Sequence, residues 1–91
     1  MEGIVKFEYD PAKSDTNFQK HGIDFEAAQY LWLDPNALQI QAKSDTEERY
    51  ALIAGIQKIV WIAFYTYRKD VIRIISVRRA RDNEKRIYDE S

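Results

Sequence analysis

The sequence predicts a single α+β domain, residues 1–91, in which a strand and two helices precede four strands and a last helix. Three observations favour this class. Capping residues and prolines bracket two helical segments in the first third of the chain. Four apolar stretches separated by turn residues then follow at the spacing of an antiparallel meander. A chain of 91 residues also has apolar material for one core only.

The first element is a strand, because residues 4–9 alternate apolar and charged side chains, the period of a half-buried strand. It ends where a helix begins. Asp10 suits the N-cap position and Pro11 the first helical position, where a missing N–H costs nothing. Gly22 is a natural C-terminal stop. The sequence therefore predicts a helix over residues 11–21.

A second helix is expected to begin after Asp24 and to end near residues 34–35. At helical spacing, its buried side consists of Phe25, Ala28 and Trp32. Strands are predicted over residues 37–42, 49–55, 58–67 and 71–78, and a charged helix over residues 80–90. Apolar residues are nearly continuous in 59–65 and 71–75, so these two strands should lie inside the sheet. The predicted order is β-α-α-β-β-β-β-α.

Charge is distributed unevenly along the chain although the net charge is only −1. Residues 1–48 carry four Lys and ten Asp or Glu, a net charge of −6. Residues 49–88 carry ten Lys or Arg against three Asp or Glu, a net charge of +7. Because salt screens charges beyond about 8–10 Å, a polyanion would be attracted to the second half alone.

Composition argues against several kinds of protein. The chain has no cysteine and one histidine, so a disulfide framework and a zinc site are both unexpected, and we predict no cofactor and no metal. The start of the chain lacks a basic region followed by an apolar stretch, and no apolar run approaches the roughly 18–20 residues of a membrane span. We expect a cytoplasmic protein that does not bind membranes.

Several ordered stretches of the chain coincide with the motifs of one known family. The N-terminal stretches are FEYDPAK at 7–13, Asn17, KHGIDFEAA at 20–28 and DP at 34–35. The C-terminal ones are ER at 48–49, YT at 65–66, RIISVR at 73–78, Glu84 and Tyr88. In these stretches the sequence resembles the BrnT family of toxins, and the resemblance covers nearly the whole chain. Departures occur at Tyr67, where the family often has an acidic residue, and at 80–81, where it often has Ala-Thr.

The resemblance implies a RelE-like fold and the toxin of a bacterial type II toxin–antitoxin system. Such a toxin inhibits growth by cutting RNA. It also implies a BrnA-like antitoxin with a ribbon-helix-helix element, so that contact with DNA would occur only through this partner in the complex.

Metal-free RNA cleavage needs a base for the 2′-hydroxyl proton, cations that stabilise the phosphorane, and an acid for the 5′-oxygen. Arginine suits the second requirement because its planar fork donates to two phosphate oxygens at once. Arg73 and Arg78 are our candidates for that role. They have opposite parity in one strand and point to opposite faces unless a bulge intervenes.

The acid–base candidates are His21 and Glu48, and each has an alternative structural explanation. Histidine changes protonation near neutral pH, but one placed just before Gly22 often serves the end of a helix. Glu48 is equally a partner for Arg49 or for Arg73, because a buried arginine needs a counter-charge.

Four further residues are predicted to bind RNA rather than to cut it. They are Arg68, Arg79, Arg81 and Tyr67. The arginines would attract the phosphate backbone, or would belong to a solvated surface. The ring of Tyr67, at a strand end, would stack on an unpaired base.

Two alternatives to a ribonuclease remain open from the sequence. The first is a non-catalytic module whose basic face holds RNA or an acidic protein. The second is a structural partner in which the acidic and basic halves pair with another chain. A ribonuclease needs a credible acid–base pair, and neither alternative does.

Overall fold

The computed structural model describes residues 5–91 and confirms the predicted α+β class and element order. The elements are β1 (Lys6–Glu8), α1 (Pro11–His21), α2 (Phe25–Ala28) running into a 3₁₀ segment (Gln29–Leu33), β2 (Leu38–Ala42), β3 (Arg49–Ile56), β4 (Ile59–Arg68), β5 (Val71–Arg79) and α3 (Asp82–Glu90). Ile4, which was predicted to begin the first strand, lies outside the described residues.

Local signals set both ends of α1 where they were predicted. The Asp10 carboxylate accepts a hydrogen bond from the Ala12 N–H at 2.9 Å, which caps the first turn. Gly22 adopts φ 82° and donates its N–H to the Phe18 carbonyl at 2.8 Å. Glycine reaches this left-handed conformation without a Cβ penalty, so the helix ends at His21.

The second helix begins as predicted, with the Asp24 carboxylate accepting from the Ala27 N–H at 2.8 Å, but it tightens after Ala28. The 3₁₀ segment has three residues per turn, so Leu31 follows Ala28 into the core. Trp32, predicted to be on the buried side, is only half-buried. The difference arises because the prediction assumed α-helical spacing throughout.

The sheet has the order β1-β5-β4-β3-β2, with β2 to β5 forming the predicted antiparallel meander. Strands β4 and β5 lie in its interior, as their continuous apolar sequences indicated. Gln57 and Lys58, both at positive φ, form the tight turn between β3 and β4. Strand β1 pairs in parallel with β5, which brings the first strand against the last.

The two faces of the sheet, called the α1 face and the α3 face after the helix that packs on each, are covered to different extents. On the α1 face, α1, α2 and the 3₁₀ segment bury the larger cluster, whose largest fully buried side chains include Phe25, Leu31, Tyr65 and Val77. On the α3 face, a smaller cluster contains Ala51, Ile53, Ile62 and the half-buried Tyr88. The α3 face therefore stays partly open.

Buried polar groups join the helices to the sheet. The Asn17 amide on α1 donates to the Ile23 carbonyl at 2.8 Å and accepts from the Val77 N–H of β5 at 3.1 Å. The Tyr88 hydroxyl on α3 donates to the Asp34 carboxylate at 2.5 Å. Helix α3 contains no fully buried residue, so such polar contacts hold it. No helix within residues 5–91 is long and apolar enough to cross a membrane.

Candidate functional site

A β-bulge places the two candidate catalytic arginines on the same face of the sheet. The β4–β5 register shifts between Phe64 and Tyr65, which leaves one extra residue, Ile75, in β5. Arg73 therefore lies opposite Thr66 and Arg78 lies opposite Ile62, two residues of equal parity in β4. Since Ile62 belongs to the α3 face, both arginines share that face.

Glu8 is the carboxylate partner of Arg73. The Arg73 Nη1 lies 3.0 Å from the Glu8 Oε2, and the Arg68 Nε lies 3.9 Å from the same oxygen. Parallel pairing sets Glu8 directly beside Arg73 in the register. Arg68 and Arg73 thus converge on one carboxylate.

Glu48 has neither of the ion pairs predicted for it. Its carboxylate accepts from the Tyr50 hydroxyl at 3.2 Å, while Arg49 contacts Glu47 at 3.5 Å. The prediction that Glu48 pairs with Arg49 or Arg73 is therefore wrong. The Tyr50 ring packs against the α1-face cluster, so its hydroxyl holds the Glu48 carboxylate on the α1 face, whereas Arg73 lies on the α3 face.

Arg78 is held at the end of β5 by a residue of α3. Its Nη1 and Nη2 each lie 2.9 Å from a carboxylate oxygen of Glu84, and its guanidinium lies 5.5 Å from the Phe64 ring centroid. Glu84 also accepts from the Arg81 N–H at 2.8 Å, at the start of α3. The Arg78 hydrogen bonds lower the pKa of Glu84 more than partial burial raises it. Glu84 is therefore ionised at neutral pH.

Tyr67 lies on the α1 face with other aromatic residues. Its ring packs edge-on against Tyr50 and Tyr65 at centroid distances of 5.3 and 5.7 Å, and its hydroxyl donates to Gln39 at 3.2 Å. The Tyr65 hydroxyl donates to the same amide oxygen, and burial raises the pKa of Tyr65 above its ordinary value. Tyr67 is 46% exposed, which leaves part of its ring accessible.

His21 and Arg79 line one cleft on the α1 face, together with Trp61. The Arg79 guanidinium lies 5.7 Å from the Trp61 ring centroid. Arg81 sits just before α3, where its backbone forms the helix cap. The predicted residues thus divide into Arg68, Arg73 and Arg78 on the α3 face and His21, Tyr67 and Arg79 on the α1 face.

Sequence reasoning missed the two carboxylates that hold the arginines. Glu84 carried a local signal, because it is the third residue of a helix and bonds back to the backbone N–H at the N-cap. Glu8 carried no local signal except its place in the alternating pattern of a strand, since its partner Arg73 is 65 positions away. Within residues 5–91, no group of three or more His, Cys, Asp or Glu side chains is placed to hold a metal ion.

Fold and site together define a small α+β protein with two arginines on a partly open sheet face, each of them ion-paired with a carboxylate. A family model described as ribonuclease toxin, BrnT, of type II toxin-antitoxin system matches residues 9–84. The chain belongs to this family of ribonuclease toxins. No curated protein matches it.

Proposed function

We propose that this chain is a metal-independent endoribonuclease whose catalytic arginines are Arg73 and Arg78. The observation that carries the proposal is the bulge at Ile75, which puts both guanidinium groups on the partly open α3 face. Two cations on one face suit a phosphate that gains negative charge in the transition state. Removing one such group typically costs about 10²–10³ in rate.

In the proposed reaction, the 2′-oxygen of RNA attacks the neighbouring phosphorus while a base removes its proton. The bond from phosphorus to the 5′-oxygen then breaks, and an acid protonates that oxygen. The products are a 2′,3′-cyclic phosphate and a free 5′-hydroxyl. Arg73 and Arg78 neutralise the phosphorane oxygens in this scheme.

His21, Glu48 and Glu8 are the proposed proton-transfer candidates. His21 and Glu48 stay predictions from the sequence, and both have their contacts on the α1 face. Glu8 is the carboxylate that contacts Arg73 on the α3 face, which favours it as the base. Substituting each by glutamine or alanine and comparing the cleavage rates ranks the three, and a residue whose replacement leaves the parental rate takes no part in proton transfer.

RNA binding is assigned in this proposal to Arg68, Arg79, Arg81 and Tyr67. Arg68 extends the α3-face charge beyond Arg73, and Arg81 extends it toward the start of α3. Tyr67 neighbours Arg68 at the end of β4, and successive strand residues point to opposite faces. A phosphate at Arg68 and an unpaired base on the Tyr67 ring are therefore compatible.

A BrnA-like antitoxin with a ribbon-helix-helix element is the partner we propose, and DNA would be bound only through it. It would cover the α3 face and apolar residues of the adjoining helices, which blocks RNA from Arg73 and Arg78 in the cytoplasm. An antitoxin that lacks its toxin-contacting segment should no longer inhibit cleavage. Full inhibition by the truncated antitoxin would contradict this arrangement.

The decisive experiment is cleavage of total RNA by the purified chain in EDTA, beside an Arg73→Ala, Arg78→Ala double variant. We expect fragments with the parent and intact RNA with the double variant. Equal cleavage by both proteins would refute the site.

A non-catalytic RNA- or protein-binding module is the second candidate. It is favoured by the carboxylate already bound to each catalytic arginine. RNA that is bound but uncut would support this alternative.

A further inference from the structure

A cleft of about 430 Å³ opens on the α1 face, between the C-terminal end of α1 and the nearby ends of the sheet strands. Its polar and aromatic lining consists of His21, Tyr30, Trp61 and Arg79. Its apolar lining includes Ile23, Ala27 and Ile59. The cleft therefore combines apolar and aromatic side chains with one guanidinium and one imidazole group.

The charge of this cleft differs from that of its neighbours. Four other clefts among residues 5–91 each contain at least one carboxylate side chain, contributed by Glu48, Glu26, Asp34 and Asp15 respectively. No Asp or Glu of the described chain lines the cleft of His21 and Arg79. An anion would meet a cation there without a facing negative charge.

Arg79 also differs from the three arginines on the α3 face. Arg68, Arg73 and Arg78 each lie within 4.0 Å of a carboxylate oxygen, whereas Arg79 has no such contact within residues 5–91. Its guanidinium is instead positioned over the Trp61 ring, which is only 6% exposed. Packing thus orients the group while its charge stays uncompensated by a carboxylate.

We propose that this cleft binds one nucleotide unit, with the base against the guanidinium of Arg79 and the phenol ring of Tyr30, and with the phosphate at Arg79 and His21. A guanidinium offers a planar face for stacking and N–H groups for phosphate oxygens. Tyr30 is 63% exposed, so its ring is accessible to a base. This inference rests on the RNA-directed function proposed above.

The two sites meet at the end of β5. Arg78 points to the α3 face and the adjacent Arg79 to the α1 face, because successive strand residues alternate. A single RNA strand that passes around this end of the sheet reaches both arginines. A nucleotide in the cleft is therefore either part of such a strand or a free mononucleotide of the same chemistry.

Titration of the ¹⁵N-labelled parent with the four nucleoside 5′-monophosphates tests the site by NMR. We expect saturable shifts at the His21 and Gly22 amides and at the Trp61 indole N–H, smaller ones with inorganic phosphate, and smaller ones with the free nucleoside. The proposal is wrong if no nucleotide shifts these signals, or if the shifts lie only around Arg73 and Arg78.

Two variants check that the binding depends on the cleft. Arg79→Ala and His21→Ala should each weaken nucleotide binding, the former by about tenfold or more. Arg86→Ala, which removes a charge from the exposed surface of α3, is the matched control and should bind as the parent does. Parental affinity in both cleft variants would overturn the proposal even if one of them folds poorly.

A 2′-O-methyl RNA of about eight nucleotides separates the two sources of the ligand. If the RNA binds more tightly than the mononucleotide, and Arg78→Ala loses part of that gain in affinity, the ligand of the cleft is a unit of an RNA strand. Equal affinities for the RNA and the mononucleotide identify a free mononucleotide as the ligand. This RNA has no 2′-hydroxyl to attack phosphorus, so the measurement does not depend on cleavage. If only the antitoxin shifts the cleft signals, the cleft docks a protein and the proposal fails.

Discussion

Replacing Glu84 by alanine tests whether Arg78 acts on RNA or only holds α3 in place. The Arg78 and Glu84 side chains are 23% and 15% exposed and share two hydrogen bonds of 2.9 Å. Breaking a buried pair costs about 3–5 kcal/mol, and an exposed pair contributes about 0–1 kcal/mol. For this intermediate burial we expect each single substitution to lower the free energy of unfolding by about 1–3 kcal/mol.

The two variants should differ in activity although they are similar in stability. Arg78→Ala removes the proposed phosphate ligand, so we expect cleavage to fall by about 10²-fold or more. Glu84→Ala keeps the guanidinium and should cut RNA at a rate within about threefold of the parent, a difference of less than 1 kcal/mol. Urea unfolding and a gel-based cleavage assay at one temperature, well below both unfolding transitions, measure the two effects on the same samples.

The pH dependence of stability provides an internal check on the same pair. The pKa of Glu84 in the folded protein lies below the ordinary value of 4.5, so the stabilisation is complete above pH 4.5 and is lost as pH falls through the lower folded value. The stability difference between the parent and Glu84→Gln should therefore shrink in acid. Equal loss of cleavage in folded Glu84→Ala and Arg78→Ala would refute a direct role for Arg78.

Three further outcomes are expected. Asn17→Ala should lower the free energy of unfolding by about 2–4 kcal/mol in urea, because it strands two buried backbone groups, and a loss below 1 kcal/mol would contradict this. The bond to Asp34 raises the pKa of Tyr88 to about 12, so the contribution of Tyr88 should be complete below pH 10 and decline toward pH 12. The free energy of unfolding of Tyr88→Phe, measured in urea, should lack this alkaline decline. A decline parallel to that of the parent would rule out the Tyr88–Asp34 bond as its cause. Arg68→Ala should reduce the slope of log affinity for single-stranded RNA against log salt concentration by about 0.7, and an unchanged slope would exclude a phosphate contact there.

The proton-transfer candidates are divided between the two faces of the sheet. His21 and Glu48 have residue types suited to proton transfer, but their contacts lie on the α1 face. Glu8 contacts Arg73 on the α3 face, although no local feature of the sequence distinguishes it from other strand residues. The cleavage rates of single variants at His21, Glu48 and Glu8 should therefore be measured together and compared.

Sequence alone was sufficient for features that depend on neighbours along the chain. Helix α1 follows from the Asp10 cap, Pro11 and Gly22, all of which act within one turn of its ends. The interior position of β4 and β5 in the sheet follows from their nearly continuous apolar residues. The arginines were recognisable as candidates because phosphate chemistry favours that residue type.

Tertiary structure alone decided which of these residues meet. The extra residue Ile75 reverses the facing of Arg78 relative to Arg73, and a bulge depends on the pairing of β5 with β4 rather than on either strand alone. Glu8 replaces Glu48 as the partner of Arg73 because β1 pairs in parallel with β5, a contact across 65 positions. Such a contact leaves no periodic mark in the sequence, since its energy comes from packing between segments that are distant along the chain.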